Sequence, residues 1–212
     1  MTHKPLNHQP RKRFGQNFLH DKNIIHKIIH AIAPQANDTM VEIGPGQGAL
    51  TQPLLEQLDH LHVIEIDNDL VQWWKEQALS KLTLHHTDAL KTDLCTLTKE
   101  HSIRLVGNLP YNISTPLLFH FFKHSSCIED MHFMLQKEVV ERIVAQPGSK
   151  TYGRLSIMSQ FYCEAEYLFT IGPGAFHPKP KVDSAIIRLR PHHNRERCDA
   201  NLLSQIVKQA FS

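Results

Sequence analysis

Three short segments of this 212-residue chain hold the residue types that chemistry on a nucleotide needs. The first is Glu42-Ile43-Gly44-Pro45-Gly46-Gln47-Gly48, set between a β-branched run and a helical one. Glycines there let the backbone turn tightly and approach a ligand with no Cβ in the way. The segment alone does not choose the ligand: Gly44-x-Gly46-x-x-Ala49 also fits a dinucleotide fingerprint, and a tight turn without a ligand fits as well. The second is an acid, Glu65 in Val63-Ile64-Glu65-Ile66-Asp67, at the end of the next β-branched run. A carboxylate so placed accepts hydrogen bonds from both ribose hydroxyls. Asp67 is its alternative, with a helix N-cap as the other use of that residue. Asp88, in His86-Thr87-Asp88-Ala89, follows the third run at the same edge, with a helix cap again the competing role.

The third segment, Gly107-Asn108-Leu109-Pro110-Tyr111, separates these readings. Hydride transfer has no evident use for it, whereas methylation of an amine has a use for each residue. The amino group of adenine is a poor nucleophile because its lone pair is delocalised into the ring. If the Asn108 side-chain oxygen and the Leu109 carbonyl accept its two N–H bonds, the nitrogen is drawn toward pyramidal geometry with its lone pair aimed at an electrophile. Pro110 sets the local backbone, and Tyr111 offers a face for the base. Catalysis of that kind is positioning and electrostatics and needs neither metal nor covalent intermediate.

These stations require strands and helices in alternation. Thr39–Ile43, Leu61–Ile66, Leu82–Thr87, Ile103–Gly107 and Met131–Leu135 read as strands, with helical stretches at Ala49–Leu58, Asp69–Leu79 and Pro116–Lys123. Ser114-Thr115-Pro116 is an N-cap signal with proline in the first turn. Such alternation predicts a parallel sheet covered on both faces, with ligands bound beyond the carboxyl ends of the strands. After a loop at Gln146-Pro147-Gly148-Ser149, Leu155–Tyr162 reads as helix, and Ala165–Ile171 and Ser184–Leu189 read as late strands closing the sheet. Residues 172–181 are too rich in Gly and Pro to be regular, and Asn201–Phe211 begins another helix.

With 41% hydrophobic and 21% charged residues, the chain is globular, not disordered or fibrous. No apolar stretch approaches the roughly 18 residues that cross a bilayer, and Met1-Thr2-His3-Lys4-Pro5 is no signal segment, so the expected location is the cytoplasm. Four cysteines more than 30 residues apart suggest neither a disulfide framework nor a zinc cage, and reduced thiols are expected. The sixteen histidines form no His-Glu-x-x-His or His/Cys cluster, so no metal is expected. The net charge of +2 hides an uneven distribution: residues 1–27 carry +5, residues 178–197 carry +4 and residues 28–177 carry −7. Basic ends on an acidic middle would let a polyanion dock at one surface, although solvated flexible ends explain the charge equally well.

The chain resembles, over essentially its whole length, the ribosomal RNA adenine dimethyltransferases of the KsgA type. Besides E-I-G-P-G-x-G-x-L-T and N-L-P-Y, the resemblance rests on Arg13-Phe14-Gly15-Gln16-Asn17-Phe18-Leu19, Met134-Leu135-Gln136-Lys137-Glu138-Val139 and Pro173-x-Ala175-Phe176-x-Pro178-x-Pro180-Lys181-Val182-Asp183-Ser184. It implies a Rossmann-like, class I S-adenosylmethionine-dependent methyltransferase fold, with a mostly parallel seven-stranded sheet and helices on both faces. It further implies that Asn17 and Leu19 close over the cofactor, that Gly44 lines its methionine part, that Gly46 also belongs to the cofactor site, and that Glu65 holds the ribose and Asp88 the adenine. Asn108 would touch cofactor and target, and Phe176 would face Tyr111 across a flipped adenine. The implied substrate is two adjacent adenosines in a hairpin near the 3′ end of 16S ribosomal RNA, methylated by a monomer during small-subunit biogenesis. Residues 1–195 would form the catalytic domain, with 196–212 the beginning of a helical C-terminal domain. Large-subunit adenine methyltransferases of the antibiotic-resistance kind share the architecture, but more often show isoleucine where this chain has Leu109. An RNA-binding assembly factor without catalysis is the further alternative.

Overall fold

The computed structural model describes residues 16–97, 102–192 and 198–211. The basic residues Lys4, Arg11, Lys12 and Arg13, together with Arg195 and Arg197, lie outside them.

Seven strands form the main sheet: β2 (Met40–Ile43), β3 (Leu61–Glu65), β4 (Leu82–His86), β5 (Ile103–Asn108), β6 (Ile128–Gln136), β7 (Cys163–Ile171) and β9 (Ser184–Pro191). Their order is β4-β3-β2-β5-β6-β9-β7. Neighbours from β4 through β6 pair in parallel, and β9 enters antiparallel between β6 and β7. All four residues of β2 are buried, as expected of a central strand covered on both sides. A separate two-stranded ribbon joins β1 (Phe18–Leu19) to β8 (Phe176–His177).

One face of the sheet is covered by α4 (Leu94–Leu97), α5 (Ser114–Lys123), α6 (Lys137–Ile143) and α7 (Arg154–Tyr162), which pack on Val41, Ile43, Leu105 and Phe133. On the other, α1 (Lys22–Ile32) and α2 (Thr51–Leu55) bury Met40, Val63, Val106 and Met134. Trp73 and Trp74 of α3 (Asn68–Gln77) close the edge against Leu82 and Leu84. A last helix, α8 (Ala200–Ala210), is capped by Asp199, whose side chain accepts from Asn201 N and Leu202 N. The chain reverses its direction of winding at β2, which has β3 on one side and β5 on the other. That switch point opens a crevice at the carboxyl ends of the strands.

Several sequence expectations change. Ser114 does not cap α5: it lies inside the first turn, and its hydroxyl donates to the Tyr111 carbonyl at 3.2 Å. The stretch 172–181 is partly regular, with a 3₁₀ turn at Pro173–Ala175 leading into β8, because pairing with β1 supplies its backbone partners. The expected helix Ala49–Leu58 shortens to α2. Three further helices, α1, α4 and α6, have no counterpart in the sequence reading. For α1 the signal was present: Asp21 accepts from Asn23 N and Ile24 N, and isoleucines at 24, 25, 28, 29 and 32 follow the helical repeat. Finally, Cys95 and Cys127 are joined by a disulfide, where reduced thiols were expected. Spacing could not reveal this, because α4 and the turn before β6 meet only in the folded sheet.

Candidate active site

At the switch point lies a cleft of about 310 Å³, and the glycine loop, Glu65, Asp88 and Asn108 all line it. The loop leaves β2 and turns with Gly44 at φ 69° and Gly46 at φ 54°, in the left-handed region that favours glycine. A Cβ on Gly46 would stand 3.1 Å from the Phe18 ring, so the loop and the β1 segment approach across that position. Trp74 Nε1 donates to the Gly46 carbonyl at 3.1 Å and fixes the loop from the α3 side. At Gly107 a Cβ would lie 2.6 Å from the Ile43 carbonyl oxygen, so only glycine lets β5 pass β2 just before Asn108.

Glu65 ends β3 almost fully buried. Its Oε1 accepts from the backbone N–H groups of Ile66 and Asp67, both at 2.9 Å. Burial raises its pKa above the usual carboxylate value, and those backbone donors pull it partly back. Asp67 takes the capping role, accepting from Asp69 N at the start of α3 and from Gln16 Nε2 at 3.1 Å. Asp88 accepts from Leu90 N through Oδ1 at 2.9 Å and also lines the cleft, so capping a turn and facing a ligand are compatible there.

Asn108 sits at the end of β5, and its Nδ2 donates to the main-chain carbonyl of Asn17 at 2.8 Å. Leu109 N donates to the Met134 carbonyl at 3.2 Å, while its side chain is buried in the core as an anchor. Ile113 N donates to the Pro110 carbonyl at 3.1 Å, closing the turn. Tyr111 Oη is 2.6 Å from Ser184 Oγ at the start of β9, and burial raises its pKa, so the phenol stays neutral. The structure thus brings Asn17, Leu19, Gly44, Gly46, Glu65, Asp88, Asn108, Leu109, Pro110 and Tyr111 to one cleft. Phe176 stands apart: it is 3% exposed, pairs with Leu19 across the ribbon, packs in the core, and does not line the cleft.

Two participants escaped the sequence reading. Glu42 opens the glycine segment, is 2% exposed, and lines the cleft with Oε2 accepting from Thr51 Oγ1 at 2.7 Å. Burial pushes its pKa up to about 7, the Thr51 bond opposes the shift, and the nearby Glu65 charge adds to it. An acid entering a glycine turn from a buried strand was the available signal. Ser184, the Tyr111 partner, opens the run Ser184–Leu189, which reads in the sequence only as a late strand. Among the described residues, no group of three or more His, Cys, Asp or Glu side chains is placed to hold a metal. No helix among them is long and apolar enough to cross a membrane.

Known proteins resemble this chain in sequence and in fold. The chain is 57% identical over 214 residues to a ribosomal RNA small subunit methyltransferase A of Nitrosococcus oceani, covering 98% of this chain and 80% of the relative. It is 57% identical to that of Legionella pneumophila, covering 98% and 82%. Among solved structures, a dimethyladenosine transferase from Plasmodium falciparum superposes with a TM-score of 0.81 at 29% identity, over 91% of this chain and 70% of that one. The 23S rRNA methyltransferase ErmE superposes with a TM-score of 0.76 at 25% identity, over 91% and 78%. A family model described as ribosomal RNA adenine dimethylase matches residues 7–212, and the chain belongs to that family.

Proposed function

We propose that this protein transfers methyl groups from S-adenosylmethionine to the exocyclic amines of two adjacent adenosines in a hairpin near the 3′ end of 16S ribosomal RNA. The observation that carries the reading is the orientation of Asn108. Its NH₂ is engaged by a carbonyl that can only accept, so its oxygen is the atom left to take a hydrogen bond from a substrate amine. The large-subunit alternative is not favoured, because the relatives of 53–57% identity are named for the small subunit.

The cleft fits the cofactor. No atom lies within 4 Å of a Cβ built on Gly44, so the backbone there is open to a ligand, and Glu65 and Asp88 offer carboxylates at two successive strand ends. Gly44 and Gly46 would border the methionine part, Glu65 the ribose, Asp88 the adenine, with Asn17 and Leu19 closing from the β1 side. When bound, the cofactor supplies an electrophilic methyl group. Asn108 Oδ1 and the Leu109 carbonyl hold the amine with its lone pair directed at that group, Tyr111 stacks on the base, and the buried surroundings exclude water. Phe176 serves as the opposing wall only if the β1·β8 ribbon opens to admit the base.

Residues 1–195 act as the catalytic unit, with α8 belonging to a helical C-terminal part. The enzyme acts as a monomer in the cytoplasm on an assembling small subunit. The test is methyl transfer to purified small subunits lacking the modification, with the modified nucleotides mapped. Two adjacent dimethyladenosines near the 3′ end are expected; methylation elsewhere, or none, overturns the reading.

A further inference from the structure

We infer that Cys95 and Cys127 form a reversible dithiol–disulfide pair that fastens the Asp88 segment to the core and so sets the affinity of the cofactor cleft. The two residues are 32 positions apart, yet their Cα atoms lie 5.6 Å from each other, within the span a disulfide bridges without backbone movement. Cys95 belongs to α4, seven residues after Asp88. Cys127 closes the 3₁₀ turn Ser125–Cys127 that leads into β6, a central strand. A bond between them therefore joins a segment at the rim of the cleft to the rigid middle of the sheet.

With the bond closed, the main-chain oxygen of His124 lies 3.2 Å from Cys127 Sγ and 3.8 Å from Cys95 Sγ, so an acceptor for a thiol stands beside both sulfurs. Cys95 is partly exposed and Cys127 is buried, which gives the chemistry a direction. The Cys95 thiolate attacks glutathione disulfide and releases one glutathione. The Cys127 thiolate then attacks the Cys95 sulfur and releases the second. Two protons and two electrons leave the protein, and one glutathione disulfide becomes two glutathiones.

Apart from the bridge, the segment between Asp88 and Cys95 is held by Leu94, which is buried in the core, and by polar ties. His120 Nε2 meets the Thr92 carbonyl at 2.8 Å, and His124 Nε2 lies 3.5 Å from Asp93 Oδ1. Thr92 Oγ1 donates in turn to the Asp88 carbonyl at 2.9 Å, which ties Asp88 to the short segment that carries Cys95. A covalent link removes the openings that these contacts permit. The consequence for the cofactor rests on the function proposed above; the bridge itself does not.

The experiment uses the full chain carrying Cys198→Ser, which removes the exposed free thiol. It is equilibrated with glutathione and glutathione disulfide in varied ratio. Alkylation with intact-mass readout follows the bridge, hydrogen exchange follows the amides of Leu90 and Lys91, which bond to Asp88, and calorimetry follows S-adenosylmethionine binding. Expected is joint protection of Cys95 and Cys127 with a mass lower by two hydrogens, exchange at Leu90 and Lys91 slowed several-fold, and tighter cofactor binding. Cys95→Ser must match the reduced parent at every ratio. Thiols still alkylated in glutathione disulfide alone, or a bridge that survives excess glutathione, overturn the reversible pair. Unchanged exchange on bridging overturns the fastening, and changed exchange with unchanged affinity overturns the coupling to the cleft. Cofactor binding in neither state rejects the cofactor assignment instead, while mass and exchange still judge the pair.

Discussion

Asn108 Nδ2 donates to the main-chain carbonyl of Asn17 at 2.8 Å, a bond spanning 91 positions of sequence. A carbonyl cannot donate, so this contact sets which end of the amide faces the cleft. Asn108→Asp places an oxygen against an oxygen, and Asn108→Ala removes the acceptor. Both variants are expected to lose methyl transfer by roughly a hundredfold or more, comparable with the loss of one preorganised polar group in other active sites. RNA affinity should stay near that of the parent, because phosphate contacts supply most of it. Single-turnover rates beside filter binding check this; turnover near that of the parent removes Asn108 from the mechanism.

In the proposed mechanism Tyr111 has two separable duties, a ring for the base and a hydroxyl, the latter tied to Ser184. Tyr111→Phe keeps the ring and is expected to cost about 0.5–1.5 kcal/mol in kcat/KM, the worth of one hydrogen bond. Tyr111→Ala also removes the stacking surface, adding about 1–3 kcal/mol. Equal losses in both variants would show that the hydroxyl, not the ring, matters.

Glu65 is expected to carry cofactor affinity. Glu65→Ala should weaken S-adenosylmethionine binding by about 1–3 kcal/mol, since ribose hydroxyls would lose their acceptor. Calorimetric titration decides, and an unchanged dissociation constant takes Glu65 out of the site.

Glu42 links the cleft to pH. Its pKa is raised by burial from 4.5 unfolded to about 7 folded, so the native state holds its proton more tightly. The stability this provides is complete below pH 4.5 and is lost as pH rises toward 7. Relative to Glu42→Gln, which cannot ionise, the parent should lose about 3 kcal/mol over that window. Urea midpoints from acid to pH 8 measure the difference; parallel curves for the two proteins would refute it.

Lys179 and Lys181 are exposed in the loop that leads to Ser184, the residue that bonds to Tyr111. Replacing both by Ala should weaken RNA binding and flatten its logarithmic dependence on salt by roughly 0.7–0.9 for each phosphate no longer neutralised. Cofactor affinity should not change. An unaltered salt slope would leave these lysines as solvated charge.

The sequence alone specified the strand-end stations. Gly44, Glu65, Asp88 and Asn108 each follow a β-branched run, and parallel strands joined by crossovers bring their carboxyl ends to one edge, so local pattern sufficed. Tertiary structure decided what depends on contacts between distant segments. The partner of Asn108 lies 91 positions away and that of Tyr111 lies 73 away, and no periodicity encodes which loops meet above a sheet. Burial behaves likewise. Glu42 titrates near neutrality, Phe176 sits in the core beside Leu19, and Cys95 reaches Cys127, all because layers packed on β2, β5 and β6 exclude water or bring chain segments together. Residue types set which groups can react; register and packing set which of them meet.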